Sequence, residues 1–154
     1  MKKLIFIALS FAFVLYACDS SNVYKDNKTF SDLVWKKQDK AVFDFTIEKE
    51  GKYDIFLDCR YIEDYPYNIM NLNYNIKSEN QENNKNLIIA IKDKDGYYIG
   101  EQMGNMIDIS RKVTKDTLLP AGKYTISIEE NVSPKALAFV MEIGVRVNAV
   151  EKQE

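Results

Sequence analysis

The stretch Tyr53-Asp54-Ile55-Phe56-Leu57-Asp58-Cys59-Arg60-Tyr61-Ile62 decides the fold class of this chain. Side chains of a β-strand point alternately to the two faces of the sheet. A period of two therefore places one set of mostly apolar side chains on a single face. That set comprises Tyr53, Ile55, Leu57, Cys59 and Tyr61. The stretch predicts a strand with one buried face.

Seven other segments, some of them short, fit the same strand pattern, and turn-forming residues separate them. Examples of the turns are the proline at Pro66, the glycine after Asp95 and the sequence 119–122. Residues 78–86 contain no apolar side chain and are expected to form a solvated loop. About eight short strands are typical of an antiparallel sandwich or barrel. We predict an all-β fold: a single, jelly-roll-like β-sandwich over residues 41–150. The alternating segments are residues 41–47, 70–77, 87–91, 97–101, 107–113, 124–129 and 139–147.

The first 17 residues have the pattern of a secretion signal. Lys2 and Lys3 precede an apolar run, residues 4–16, which is shorter than the roughly 20 residues that a membrane-spanning helix needs. The run ends at Leu15-Tyr16-Ala17-Cys18, which resembles a lipobox, although Tyr16 replaces the usual small residue. The expected lipidation site is therefore Cys18. Residues 18–40 are predicted to form a lipidated N-terminus and a tether.

The N-terminal segment has two other interpretations. An ordinary cleaved signal peptide would make Cys18 incidental, and a signal-anchor helix would leave the apolar run in the membrane. The run is too short for an anchor helix, since each residue adds about 1.5 Å. The abrupt change to polar sequence at Asp19 favours lipidation. Two or more acyl chains anchor a protein stably, so the domain itself needs no membrane-binding surface.

Composition excludes several classes of function. Removing residues 1–17 leaves 137 of 154 residues, and removing Lys2 and Lys3 leaves 19 of 21 basic residues against 23 acidic ones. This negative balance argues against nucleic-acid binding. The chain contains no histidine, which excludes Ser-His-Asp and Cys-His catalysis and histidine-ligated zinc. We predict a non-enzyme that needs no cofactor and no metal.

Three residue groups have both a structural and a functional interpretation. Cys59 is interpreted as a buried thiol rather than a reactive one, because free cysteine behaves as a small hydrophobe. Trp35 is expected to cap one end of the core rather than serve as a binding platform. Asp93, Asp95 and Glu101 invite a calcium interpretation, but their spacing around Gly96 differs from that of an EF-hand, and a plain hairpin turn is favoured.

The loop that follows the deciding strand is the candidate interaction surface. Two tyrosines flank Pro66, and tyrosine combines rigid apolar area with a polar tip that suits interfaces. Three interpretations stay open: the loop shapes a turn and covers the sheet edge, it contacts a protein, or it binds a sugar. The candidate residues are Arg60, Asp64, Tyr65, Tyr67 and Asn68.

Several stretches, in their order and spacing, resemble the GldH gliding-motility lipoproteins. The most specific is Arg60-x3-Asp64-Tyr65-Pro66-Tyr67-Asn68, and residues 93–100, 122–129 and 143–147 add to it. The resemblance implies an envelope lipoprotein that acts with other proteins of the gliding machinery and has no catalytic residues. Cys18 is the only chemically defined site that the resemblance implies for this chain. The expected location is the cell envelope, in the outer membrane rather than the inner one.

Two hypotheses follow from different classes of function. The first is a lipid-anchored, non-catalytic component required for gliding, whose partners are the membrane and other envelope proteins. The second is a carbohydrate-binding β-sandwich lipoprotein that uses the Tyr65-Pro66-Tyr67 loop. Loss of gliding on deletion would favour the first, and binding on a glycan array the second.

Overall fold

The computed structural model describes residues 21–131 and 136–150, and this part of the chain is all-β, as predicted. The signal segment and Cys18 lie outside the described residues. The described residues form eleven strands and one 3₁₀ turn, Ser31–Leu33, rather than about eight strands. The strands are β1 (Asn22–Thr29), β2 (Val34–Lys36), β3 (Ala41–Ile47), β4 (Gly51–Ile62), β5 (Ile69–Ser78), β6 (Glu82–Ala90), β7 (Glu101–Met103), β8 (Met106–Leu119), β9 (Gly122–Glu130), β10 (Ala136–Ala138) and β11 (Val140–Ala149).

The strands form three antiparallel sheets. A five-stranded sheet has the order β1-β11-β4-β8-β7, a four-stranded sheet has the order β3-β9-β5-β6, and β10 pairs with β2. Most neighbours in the two larger sheets are distant in sequence, so the chain crosses between the sheets repeatedly. The described ranges contain no helix with the length and apolarity that a membrane crossing requires.

The two larger sheets share one hydrophobic core. The predicted buried face of β4 is confirmed: Ile55, Leu57 and Tyr61 are almost fully buried. The Sγ atom of Cys59 on β4 lies 3.7 Å from the Sδ atom of Met70 on β5, which joins the two sheets. Burial of this continuous apolar face is the main source of stability for such a small domain.

Trp35 caps this core, as predicted. Its side chain is fully buried and stacks on Phe30 with 4.8 Å between ring centroids. Its Nε1 atom donates a hydrogen bond to the backbone carbonyl of Asp39 over 2.7 Å. A buried indole with a satisfied N–H is stable as a core residue. Trp35 is therefore not an exposed binding platform.

The sheet begins earlier than the sequence suggested. Residues 22–29, assigned above to the tether, form β1 and pair with β11 from Asn22↔Asn148 to Thr29↔Glu142. Most β1 side chains are exposed, because β1 is an edge strand with a partner on one side only. A strand without an apolar face leaves no period of two in the sequence.

The prediction of a loop at residues 78–86 is wrong for most of that range. Strand β6 starts at Glu82 and pairs with β5, beginning at Lys77↔Glu82. Only residues 79–81 form the turn, which the bond from the Ser78 amide to the Gln81 carbonyl closes over 2.8 Å. The first half of β6 is polar because it is the exposed edge of its sheet.

Strand β11 changes its buried face near its start. The sequence placed Phe139 and Met141 on the same face as Ile143, but Val140 is the fully buried residue and Met141 is half-buried. A register shift between Val140 and Glu142 marks a bulge against β4. A bulge inserts one residue and thereby reverses the alternation that precedes it.

The domain has two ends, defined here by their position along β4. The proximal end contains Ser21, Gly51 and Ala149, because Ala149 donates its amide to the Ser21 carbonyl over 2.7 Å and pairs with Tyr53. The distal end contains the loop of residues 63–68 that follows β4. At about 3.3 Å per residue, the twelve residues of β4 separate the two ends by roughly 36 Å.

Candidate functional site

The candidate loop lies at the distal end, and one of its candidate surface residues is buried. Tyr65 is 1% exposed, and its ring contacts those of Tyr61 at 5.7 Å and Tyr67 at 5.9 Å. Its hydroxyl points to the Ile69 carbonyl at 3.4 Å, and burial raises the pKa of the Tyr65 phenol. The assignment of Tyr65 to the interaction surface is therefore corrected: it is a core residue that supports the loop.

The other loop residues of the candidate set remain on the surface. Tyr67 is 41% exposed, and Asp64 and Asn68 are also exposed. The backbone carbonyl of Asn68 accepts the amides of Ile91 at 2.9 Å and Lys92 at 3.2 Å. The loop is thus held against the segment that follows β6, and the Tyr67 ring rests on the buried Tyr65.

Arg60 lies outside the loop, on the outward face of β4. Its Nε and Nη2 atoms donate to the two carboxylate oxygens of Asp108 on β8, over 2.7 and 2.8 Å. This paired geometry is the strongest form of an arginine–carboxylate contact. The hydrogen bond from Arg60 lowers the pKa of Asp108. The guanidinium is therefore already engaged within the sheet.

A second segment, residues 91–99, also lies at the distal end. The Tyr61 hydroxyl donates to the Ile99 carbonyl over 2.9 Å, and the Ile99 amide donates to the Ile91 carbonyl over 2.8 Å. The Tyr98 ring lies 6.2 Å from that of Tyr61, and the Lys92 ammonium lies 4.8 Å from the Tyr98 centroid. Residues 91–99 are thereby held against Tyr61, whose ring also contacts Tyr65 of the loop.

Both distal segments carry exposed apolar side chains. Tyr97 is 74% exposed and Ile99 is 37% exposed on one segment, and Tyr67 is 41% exposed and Ile69 is 44% exposed at the loop. We call Tyr67, Ile69, Tyr97 and Ile99 the distal surface. Aromatic and aliphatic side chains on a rigid support are suited to protein contacts. Sequence reasoning found Tyr67 but missed Tyr97 and Ile99, because it placed them in a regular strand.

The turn at Asp93 is the predicted hairpin turn. The Asp93 amide donates to the Tyr97 carbonyl over 2.8 Å, and the Asp93 carboxylate accepts the amides of Asp95 and Tyr97 at 2.9 Å each. Gly96 has a φ of +88°, which glycine adopts without strain. Across residues 21–131 and 136–150, no group of three or more His, Cys, Asp or Glu side chains is arranged to hold a metal ion.

Cys59 has the packing role expected of it. It is a free, buried cysteine, and burial raises the pKa of its thiol well above the ordinary value. A thiolate is the reactive form of cysteine, so a raised pKa suppresses nucleophilic chemistry at neutral pH.

A polar groove of about 430 Å³ lies on the outward face of the four-stranded sheet. Two asparagine pairs face each other across β5 and β6, Asn73↔Asn86 and Asn75↔Asn84. The Asn75 amide donates to the Asn84 side-chain oxygen over 2.6 Å. Asparagine is depleted in strands, so this concentration departs from local preference. The remaining lining residues include Lys40, Glu82, Lys85, Ser127 and Glu129, and Lys40 pairs with Glu129 at 2.5 Å.

Comparison with known proteins settles the family. The family model described as GldH lipoprotein matches residues 22–147, which extend from the start of β1 almost to the end of β11. The chain belongs to the GldH lipoprotein family. The resemblance identified from the sequence is thereby confirmed.

A relative of this GldH-family chain is similar over nearly its whole length. It is the gliding motility lipoprotein GldH of Flavobacterium johnsoniae, 26% identical over 92% of this chain and 93% of the relative. Among solved structures, the Eiger TNF of S. frugiperda has a TM-score of 0.39 and 6% identity over 87% of this chain and 96% of its own. The infectious bursal disease virus VP2 subviral particle has a TM-score of 0.37 and 13% identity over 86% of this chain and 34% of its own.

In this GldH-family chain, the matched range contains both the distal surface and the polar groove, whereas Cys18 precedes it. Sequence reasoning also missed the groove. Its signal was present in the asparagines at positions 73, 75, 84 and 86, but half of them fell in the expected loop. Recognising β6 as a strand would have paired them across the sheet.

Proposed function

We propose that this protein is a lipid-anchored, non-catalytic envelope lipoprotein that serves the gliding machinery of its bacterium. The observation that carries the proposal is the similarity to the Flavobacterium johnsoniae gliding motility lipoprotein over 92% of this chain. Two chains that correspond from end to end have the same domain content, which supports a common role.

The anchor is a diacylglyceryl-modified Cys18. The apolar run of residues 4–16, the lipobox-like Leu15–Cys18 and the polar sequence after it support this chemistry. With its acyl chains in the membrane, the protein would be held in the cell envelope, and we propose the outer membrane as its location.

A non-catalytic role agrees with the state of the reactive side chains. Cys59 is buried with a raised pKa, and Arg60 is paired with Asp108. The absence of histidine removes the commonest general base. The domain would act by binding, and the distal surface is the region we propose for contact with other envelope proteins.

The finer architecture is part of the same proposal. We infer that the two larger sheets pack face to face as a jelly-roll-like sandwich. Their shared core and the contact of Tyr24 on β1 with Phe45 on β3, 5.2 Å between ring centroids, support this packing.

Deletion and complementation in a gliding host that carries the gene test the function. We expect the deletion to abolish spreading and single-cell gliding, and we expect the wild-type gene to restore both. A Cys18→Ala variant should fail to restore gliding although the protein is made. A Tyr97→Ala/Ile99→Ala variant should be anchored normally but should restore gliding only in part. Normal gliding of the deletion strain would contradict the proposal.

The polar groove favours carbohydrate binding as a second candidate function. Its side chains offer amide donors and acceptors at regular cross-strand spacing, which can bind sugar hydroxyls. This candidate moves the sugar site from the Tyr65-Pro66-Tyr67 loop to the face of β5 and β6. A glycan array with the protein, beside an Asn75→Ala/Asn84→Ala variant, tests it. Binding that the variant loses would support the candidate, and no binding by either protein would dismiss it.

A further inference from the structure

The proximal end of the domain contains a broad groove of about 980 Å³. It lies between the turn that joins β3 to β4, the end of β8 and the end of β11. Three lysines line it: Lys49, Lys52 and Lys115. Leu118 on its rim is 61% exposed, which is a high exposure for a large apolar side chain.

The groove lies where the described chain begins. Its wall includes Ala149, whose amide donates to the Ser21 carbonyl over 2.7 Å, and Val150, whose amide donates to the Lys52 carbonyl over 2.9 Å. Cys18 is three residues before Ser21. Because an extended residue spans at most about 3.6 Å, Cys18 can lie no more than roughly 11 Å from Ser21.

The groove is electrostatically suited to a phosphate-bearing surface. Among the described residues, none of the three lysines forms an ion pair with a carboxylate, in contrast to Lys40, Lys94 and Lys112. Glu50 and Asp116 also line the groove, so the lining carries one net positive charge. Long lysine side chains can extend their ammonium groups to headgroup level while their stems cover apolar surface.

We propose that the proximal groove rests on the phospholipid headgroup layer, with Lys49, Lys52 and Lys115 against lipid phosphates and Leu118 at the lipid surface. The proposal rests on the lipid anchor at Cys18 proposed above. The short connection from Cys18 to β1 brings the groove to the membrane, and the lysines orient it there. The distal surface then faces away from the membrane, roughly 36 Å farther out.

Distance-dependent quenching tests this orientation. The acylated full-length lipoprotein is reconstituted into vesicles of phosphatidylethanolamine and phosphatidylglycerol that contain a headgroup-nitroxide lipid. A fluorophore is attached through Leu118→Cys or, as the distal control, through Tyr97→Cys. Buried Cys59 should stay unlabelled, and the parent protein checks this. We expect strong quenching at position 118 and little at position 97.

Equal quenching at both positions, or none at position 118, would overturn the inference. Mass spectrometry of the same preparation distinguishes failure of the proposed lipid anchor from failure of the proposed orientation. Unmodified Cys18 would overturn both the anchor and the orientation, whereas acylated Cys18 with an unquenched label at position 118 would overturn the orientation alone.

Charge reversal tests the role of the lysines. We expect Lys49→Glu/Lys52→Glu/Lys115→Glu to lower quenching at position 118 toward the level at position 97. Raised salt should also lower quenching in the labelled Leu118→Cys protein that keeps the three lysines, because salt screens exposed charges. The matched control reverses three exposed lysines outside the groove, Lys36, Lys37 and Lys94, and should leave quenching unchanged. Equal loss in both triple variants would contradict a specific role for the groove.

Discussion

The Tyr61 hydroxyl donates to the Ile99 carbonyl over 2.9 Å, and this bond joins core strand β4 to the segment that presents Tyr97. Tyr61 itself is fully buried, so the distal surface is held by a side chain that reaches it from within the core. The arrangement explains how residues 91–99 keep a defined position although few of them belong to a sheet.

Removing that hydroxyl should loosen the distal segment. We expect Tyr61→Phe to lower the free energy of unfolding by about 1 kcal/mol, because the ring stays and one hydrogen bond is lost. Denaturant unfolding measures the change, and hydrogen exchange should accelerate at the amides of residues 91–99. Tyr97→Phe is the control, since the Tyr97 side chain is largely exposed, and it should leave both measurements unchanged. Unaltered exchange in Tyr61→Phe would contradict this account of the segment.

The two loop tyrosines should separate into a structural residue and a surface residue. We expect Tyr65→Ala to lower the free energy of unfolding by about 3 kcal/mol or more, as large-to-small changes in a core do. Tyr67→Ala should cost less than about 1 kcal/mol, because the Tyr67 side chain is partly exposed. Thermal and denaturant unfolding of the two variants measure the difference. Equal losses would show that Tyr65 is not the buried support of the loop.

Alkaline titration should reveal the buried phenols. Burial raises the pKa of Tyr61 from 10.0 to about 12, and burial together with Asp26 raises that of Tyr24 to about 12. The folded state favours the neutral phenol. The contribution of these phenols to the free energy of unfolding is therefore complete below pH 10 and is lost as the pH rises toward 12. Ultraviolet absorbance of phenolate follows the titration, and Tyr61→Phe should remove one group from the late phase. Titration of every tyrosine near pH 10 without unfolding would contradict the burial.

Gly100 should tolerate no side chain. Its φ is +133°, and a Cβ atom there would lie 2.5 Å from the Asp108 carbonyl oxygen. We expect Gly100→Ala to lower the free energy of unfolding by about 3 kcal/mol, through both backbone strain and overlap. Gly96→Ala is the matched control, because Gly96 also has a positive φ but no atom lies near its Cβ position. It should cost about 1–2 kcal/mol. Equal losses would show that the close approach to Asp108 is unimportant.

The sequence predicts strands well where one face is buried and the other is wet. Strand β4 has this property, and its buried side chains are those that the alternation selected. Strands β1 and the first half of β6 lie at sheet edges with both faces largely exposed, so their sequences contain no apolar period. Bulges limit the prediction of buried faces in a second way. The bulge at Met141 inserts one residue and reverses the alternation, and the local sequence does not indicate it.

The sequence indicated a loop with two tyrosines after β4 but not which of the two is exposed. Tyr65 and Tyr67 flank the same proline, yet one is buried and the other is exposed. The fold of the loop places the Tyr65 ring against that of Tyr61 in the core, whereas Tyr67 lies outside Tyr65. The contact of Asn68 with Ile91 holds the segment that contains Tyr97 at the same end of the domain as the loop, and no local pattern encodes this contact.

The proposed envelope role and the proposed orientation of the domain both require lipidation of Cys18. Mass spectrometry of the N-terminal peptide of the protein, extracted from membranes of its bacterium, measures this directly. We predict a peptide that begins at Cys18 and carries a diacylglyceryl group on the thiol. A peptide that begins elsewhere, or an unmodified Cys18, would contradict the account.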